Sequence, residues 1–334
     1  MVRLQPIQPV ESTSSLSFRY TAESLDTLAR DQGLLAVINF GKECFVDHAS
    51  GYLHCGLPSL NDLPLTEVWR SDLPVRRGVC GPCHWSETDE LLVVALSFDE
   101  TPYPDFRMAV KDAYQRLIQF TFDKAYPHII RMWNFIADIN QGEGDAERYK
   151  QFCDGRYEAL LQRGFVQEQF AAACALGHAG TGNIIYLLAA KTKGLNFKNP
   201  RQMNAYHYPR EYGPSAPSFA RATLATWQSQ RQLFVSGTAS IIGHQSMYAS
   251  DFDAQFEVTC QNIDSLLQHV AEQLGECRVP RMSLLKVYLR DKRTLDTTRD
   301  KIDRHFGGGV PVVFLLGDIC RRELLIEIDG LCVL

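Results

Sequence analysis

Residues 317–334 read GDICRRELLIEIDGLCVL, and the alternation inside this closing segment decides the fold. Leu324, Ile326 and Ile328 alternate with Leu325, Glu327 and Asp329, the two-residue period of a strand with unlike faces. Glu327 sits among apolar residues, with Leu325 on its own face. A carboxyl in such a setting is costly to ionise and holds its proton toward neutral pH. Cys320 lies one short turn upstream, followed by Arg321 and Arg322. A proton donor, a small polarisable thiol and two cations within eight residues point to a site on this strand.

Working back from that strand, residues 233–240 predict a strand containing Gly237, and Ser250 or Asp251 caps a helix carrying Phe252, Phe256, Cys260, Ile263 and Leu267. Residues 284–290 predict a strand, and 295–306 a helix stopped by Gly307–Gly309. Residues 310–316 then run toward the closing strand. The first half has the same order. A strand at 91–98 leads into a helix from 106 to 122 with Val110, Tyr114, Leu117 and Phe120 at helical spacing. A strand at 129–139 and a helix at 145–161 follow, the helix with Tyr149, Phe152, Arg156 and Leu160 on one stripe. Strand, long helix, strand, short helix thus appears twice, as a divergent duplication would leave it. Such units form an α+β fold in which helices cover one face of each mixed sheet. The other face must pack on the second copy or on another subunit. Upstream, 16–20 and 34–40 predict strands around a helix-like 21–31, residues 41–90 read as irregular, and 184–190 is a further strand between the copies.

The 334 residues are 45% apolar and 22% charged with a net charge of -5, ordinary values for a soluble globular chain of about two domains. That charge gives no footing for nonspecific nucleic-acid binding. No apolar run reaches the roughly 18 residues of a membrane span, and the first twenty residues lack the core of a secretory signal. The expectation is a cytoplasmic protein whose ten cysteines are reduced thiols.

The stretch Cys80-Gly81-Pro82-Cys83-His84 has the spacing of a redox or haem-attachment motif. It neither follows a buried strand nor opens a long helix, and the wide spacing to Cys44 and Cys55 fits no common zinc framework, so a structural role is expected. Gly177–Gly182 (GHAGTG) lacks the Lys-Ser/Thr ending of a phosphate loop and predicts a turn. The connection at 205–221 (AYHYPREYGPSAPSFAR) is stiffened by three prolines and presents Tyr206, Tyr208, Tyr212, Arg210 and Arg221. Arginine offers a planar fork for carboxylates, and tyrosine a neutral donor on an aromatic wall. A surface linker is the plainer account of the same composition. The small residues of SGTAS at 236–240 let backbone approach a ligand, and Lys286, Tyr288 and Arg290 share one strand face.

The segments PREYGPSAPSFARA, FVSGTASIIGHQS, KVYLRD and GDICRRELLIEIDG, with DINQGEGDAERYKQFCDGRYEAL upstream, resemble the chorismatases, whose C-terminal half is similar to the RidA (YjgF) fold. The matches are densest after residue 130. The resemblance implies two RidA/YjgF-like (chorismate mutase-like) α+β units, with a degenerate N-terminal domain at 1–165 and a catalytic domain at 166–334. It implies cleavage of chorismate to pyruvate and hydroxybenzoate, with Glu327 protonating the enolpyruvyl methylene. Cys320 and Gly237 match the subtype that makes 3- and/or 4-hydroxybenzoate rather than the dihydrodiol. Two substrate carboxylates call for cations, for which Arg210, Arg221 and Arg290 are the candidates, with Tyr212 and Tyr288 as further binding residues. No metal or cofactor is expected, and the chain would act as a monomer or trimer. The alternatives are a RidA-type enamine or imine deaminase and a noncatalytic module for small aromatic acids. RidA enzymes carry an arginine just ahead of the final strand, where this chain has Glu323 beside Arg322.

Overall fold

A computed structural model describes residues 16–227 and 230–334. The first described stretch, residues 16–71, is a sheet of its own. It contains β1 (Leu16–Thr21), β2 (Leu34–Phe40), β3 (Phe45–Val46), β4 (Leu53–Cys55) and β5 (Thr66–Ser71), in the order β1-β5-β2-β4-β3. The helix-like stretch between β1 and β2 shrinks to the four-residue α1 (Leu25–Leu28). The span 41–90, read as irregular, holds five strands. They are short, and Glu67 in β5 is fully buried, so neither length nor alternation announces them.

The first repeat unit follows. It contains β6 (Arg76–Cys80), β7 (Cys83–Glu87), β8 (Leu91–Phe98), α2 (Phe106–Asp123), β9 (His128–Ala137), α3 (Arg148–Gln162), β10 (Ala172–His178) and β11 (Asn183–Ala190). Asp105 caps α2 by accepting from Met108 N at 2.7 Å. Cys80 and Cys83 face each other across the two-residue tip of the β6–β7 hairpin, where Gly81 has the positive φ that the turn needs. All ten cysteines are free thiols.

The second unit contains β12 (Leu195–Phe197), β13 (Ala222–Trp227), β14 (Gln230–Ala239), the small hairpin β15 (Ile241–Ile242) and β16 (Gln245–Ser246), α4 (Phe252–Leu274), β17 (Leu284–Leu289), α5 (Leu295–Phe306), β18 (Val312–Leu316), β19 (Asp318–Ile319) and β20 (Ile326–Val333). Asp251 caps α4, and Gly307 ends α5 at a φ of 97°. Sheet orders β10-β9-β11-β8-β7-β6 and β18-β17-β20-β14-β13-β12 correspond strand for strand. In each, one parallel pair (β9 with β10, β17 with β18) sits among antiparallel neighbours. The duplication is therefore visible in topology. The boundary expected at 165 falls inside the first unit, because β10 and β11 hydrogen-bond to β9 and β8. The five-stranded sheet also lies outside either repeat.

Alternate strand residues divide cleanly. Leu92, Val94, Met132 and Leu187 pack under α2 and α3, while Leu285, Val287, Ile326 and Ile328 pack with residues of α4 and α5. The opposite faces of both sheets meet the five-stranded sheet in one shared core that includes Ile38, Trp69, Trp133, Tyr186, Phe234 and Tyr288. Each bare sheet face is thus covered from within the chain. No helix among the described residues is long and apolar enough to cross a membrane.

Trp69 lies where the three sheets meet, fully buried, 5.1 Å from the Trp133 ring and donating its indole N–H to Glu67 at 2.8 Å. Trp69→Ala is expected to cost about 3–5 kcal/mol, read as a lowered midpoint in urea unfolding.

Candidate active site

The two units are joined by an edge-to-edge seam. Strand β10 receives β19 on its free edge, with Leu176 opposite Ile319 and Gly177 opposite Asp318. Lower on the same edge, Ala172 N donates to Thr223 Oγ1 at 2.8 Å and Ala173 N to Ser236 Oγ at 3.0 Å. Ser236 lies in a bulge, an extra residue between Val235 and Thr238 in the pairing of β14 with β20. The bulge turns β14 toward the first unit and opens a pocket at the seam.

Both halves line that pocket. The first unit supplies Tyr149 and Arg156 from α3 and Cys174 from β10; the second supplies Tyr208, Phe219, Arg221, Gly237, Cys320, Arg321 and Glu327. Glu327 is only 4% exposed. Its flanking residues Ile326 and Ile328 face the helices, so they are not what dries it, contrary to the expectation from sequence. The two-residue period instead turns Glu327 inward, toward the region where the sheets converge. Burial, with Asp329 as the second cause, pushes its carboxyl up to about 8; Arg131 and Arg221 pull the other way. Among the described residues, no hydrogen-bond partner is assigned to that carboxyl, so its proton is uncommitted.

Gly237 lies against the same group. A Cβ at this position would overlap Glu327 Oε1 and come within 3.0 Å of Cys174 Cβ. Only glycine lets the acid take its present place. Burial, then the nearness of Glu327, pushes the Cys320 thiol up to about 12, so it stays protonated at neutral pH. Backbone carbonyls of Ile319 and Cys320 accept from Asn140 Nδ2 at 3.1 and 3.3 Å, which fixes the loop carrying the thiol.

Three pocket arginines are buried: Arg156, Arg221 and Arg321. Arg221 donates to the Met203 carbonyl at 2.8 Å and to Tyr208 OH at 2.7 Å. Arg321 donates to the His244 carbonyl and Ser246 Oγ at 2.9 and 3.0 Å, with its guanidinium 3.9 Å from the Tyr212 ring centre. None of the three forms an ion pair among the described residues, and the Nε atoms of Arg156 and Arg221 are buried without a partner. Buried cations of this kind ordinarily carry a counter-charge.

The sequence-predicted residues divide accordingly. Glu327, Cys320, Gly237 and Arg221 meet in the pocket. Arg210 does not: its side chain is 64% exposed and pairs with Asp145 at 2.6 Å. Arg290 pairs with Asp318 and donates to the carbonyls of Leu324, Ile319 and Arg321, clamping the loop that bears Cys320 and Arg321 rather than lining the pocket. Tyr212 stands behind Arg321, with its hydroxyl 3.1 Å from His244 Nδ1. Tyr288 is fully buried and donates to Asp329 at 3.0 Å. Arg156 and Arg321 line the pocket but were not among the candidates read from the sequence. The signal for Arg156 was an arginine on the apolar stripe of a helix. Arg321 could not be told from Arg322, which turns outward to the carbonyls of Asn140 and Gly142. Among the described residues, no group of three or more His, Cys, Asp or Glu is placed to hold a metal ion.

Comparison with known proteins agrees on one family. Residues 67–189 match the family described as chorismatase FkbO/Hyg5-like, N-terminal. A 3-hydroxybenzoate synthase from Streptomyces hygroscopicus is 32% identical over 312 residues, 90% of this chain and 91% of that protein. A chorismatase from Streptomyces rapamycinicus is 34% identical over 283 residues, covering 80% of this chain and 82% of its own. The crystal structure of a chorismatase superposes with a TM-score of 0.87 at 30% identity, covering 96% of this chain and 99% of that one.

Because the unfolded chain releases the Glu327 proton near 4.5 and the folded chain near 8, the native state binds more protons between those values. Stability from this group is therefore full below about pH 4.5 and declines as pH rises to 8, by up to about 1.4 kcal/mol per unit. Urea midpoints measured from pH 5 to 9 should fall for the parent relative to Glu327→Gln, and a pH-independent difference would contradict this.

Proposed function

The chain belongs to the chorismatase family, and from that membership we propose that it cleaves chorismate to pyruvate and hydroxybenzoate, with Glu327 as general acid. The observation that carries this reading is a buried carboxyl, pushed up to about 8, that lines one pocket with three buried arginines lacking an anionic partner among the described residues. A ligand with two carboxylates would supply the missing counter-charges, and an enol ether would take the proton. Chorismate has both.

In this mechanism Arg156, Arg221 and Arg321 hold the two substrate carboxylates, with Tyr149 and Tyr208 closing the walls. Glu327 delivers its proton to the terminal methylene of the enolpyruvyl group, and oxocarbenium character develops at the ether carbon. A general acid for this step must still be protonated near pH 7, which burial of Glu327 provides. Breaking the ether C–O bond and losing a ring proton yield the aromatic acid. Pyruvate and hydroxybenzoate together contain the atoms of chorismate, so the overall cleavage consumes no water. The dihydrodiol outcome would add one. A pocket closed by Cys320, Gly237 and Leu324 favours the first, because the ring hydroxyl or a ring proton then reacts before solvent arrives. The 3-hydroxybenzoate synthase among the relatives supports 3-hydroxybenzoate as a product, and 4-hydroxybenzoate is the second product of the same chemistry.

A RidA-type deaminase is less well supported. The pocket arginine of the closing loop is Arg321, six residues before Glu327, and the acid beside it is buried and protonated.

Pyruvate release from chorismate, coupled to lactate dehydrogenase, tests the activity directly, and ammonia release from 2-aminoacrylate without pyruvate from chorismate would overturn it. Glu327→Gln should lose about a hundred- to ten-thousandfold in turnover, or about 2.7–5.5 kcal/mol. Cys320→Ala should shift chromatographed products toward the dihydrodiol or slow turnover; an unchanged ratio at unchanged rate would remove Cys320 from product control. In the parent, activity should fall above about pH 8 as the acid ionises. The limb in kcat should lie at higher pH than that in kcat/KM, because bound carboxylates offset the arginines that favour ionised Glu327.

A further inference from the structure

Two residues beyond Glu327 on the same face of β20 stands a second carboxyl, Asp329, also buried. It lies outside the pocket lining, and two side chains hold it. Arg131 of β9 pairs with it at 2.9 Å, and Tyr288 of β17 donates to the same oxygen at 3.0 Å. Lys286 sits directly across the strand pair from it. Lys286 in turn pairs at 2.8 Å with Glu67 of β5, whose other oxygen accepts from Trp69. All four charged side chains are at most 3% exposed. Two acids and two bases, drawn from all three sheets, make a set with no net charge.

A negative charge on Glu327 would be added to a quartet that is already balanced, and among the described residues no cation is ion-paired with it, although Arg131 and Arg221 favour that charge. Two carboxyls at neighbouring positions on one dry strand face do not both ionise readily, and the one with cations and donors around it takes the charge. Asp329 has Arg131, Tyr288 and Lys286. The groups that face Glu327 are different: Cys174 from β10, Tyr149 and Arg156 from α3, Tyr208 and Arg221 from the connection before β13, Cys320 and Arg321 from the closing loop, and Tyr288 opposite it on β17. Tyr20 and Tyr186 complete the dry surroundings of the quartet, and both hydroxyls are held neutral by burial.

We propose that Asp329 is a positioning residue for the reaction: ion-paired with Arg131, hydrogen-bonded by Tyr288 and set across from Lys286 of the Lys286–Glu67 pair, it keeps the proton on Glu327. The proposal rests on Glu327 as the acid of the preceding mechanism. It extends that mechanism to an ion-pair chain reaching the N-terminal sheet, so that Glu67, in a different sheet from the acid, bears on its proton.

The test reads Glu327 itself, whatever the enzyme turns over. The protonated-carboxyl stretch in the infrared is isolated as the difference between a protein and its Glu327→Gln counterpart, and followed with pH. Asp329→Asn should move the midpoint of that band down by about one pH unit or more. Arg131→Lys, which keeps the charge, should leave it near the parent value. Should Asp329→Asn fail to fold, Glu67→Gln serves as the second variant, with a smaller shift in the same direction. An unmoved or raised midpoint in Asp329→Asn, or in Glu67→Gln where that is the variant measured, overturns the proposal. Loss of chorismate cleavage in the parent would instead strike the functional reading while leaving the infrared result intact.

Discussion

A sheet with helices on one side has a second side that cannot be left in water, and this constraint shapes the molecule. The chain meets it by bringing two duplicated sheets and a separate five-stranded sheet together around Trp69, Trp133 and Tyr186. Every later property follows from that convergence. The side chains that β20 turns away from its helices enter a region shared by three sheets, so a glutamate there is almost wholly removed from water. The seam between the repeats meanwhile provides an opening that neither repeat possesses alone.

Within this dry region the charges fall into two groups that behave differently. Arg131 and Lys286 have carboxylates of the protein within 3 Å, and they act as structure. Arg156, Arg221 and Arg321 are equally sequestered but have hydroxyls, carbonyls and aromatic faces around them in place of acids. Desolvating a cation without a counter-ion works against folding, so the second group forms a place suited to an anionic ligand, the role proposed for it above. The contrast between paired and unpaired arginine separates scaffold from site more sharply than burial does, since both groups are buried.

Much of this was legible in the sequence wherever a signal is local. The closing strand, the helix begun by Asp251, the stop at Gly307 and the doubled order of elements all rest on periodicity and caps, and they stand in the fold as read. The acid on β20, the glycine of SGTAS and the neighbouring thiol were also within reach, because small or ionisable residues on an apolar strand are conspicuous. What escaped depends on distance in the chain. The strands of the N-terminal sheet between 41 and 90 depend on pairing across the chain, β5 with β1 and β2 and β4 with β2. Arg210 and Arg290 had the right chemistry, but Asp145 and Asp318 claim them, and no pattern announces a partner 65 residues away in one case and 28 in the other. Even the desolvation of Glu327 was expected from the wrong neighbours, since the isoleucines beside it point to the opposite face.

Strand β19 gives the duplication a consequence beyond the site. Two residues from the second repeat complete the edge of the first repeat's sheet, so each copy has surrendered part of its independence to the other. A gene doubling of this sort begins with two interchangeable halves. Once one half lends a strand and the other lends an arginine-bearing helix to a common hollow, further divergence is confined to changes that both can accommodate, and the pair evolves as one object.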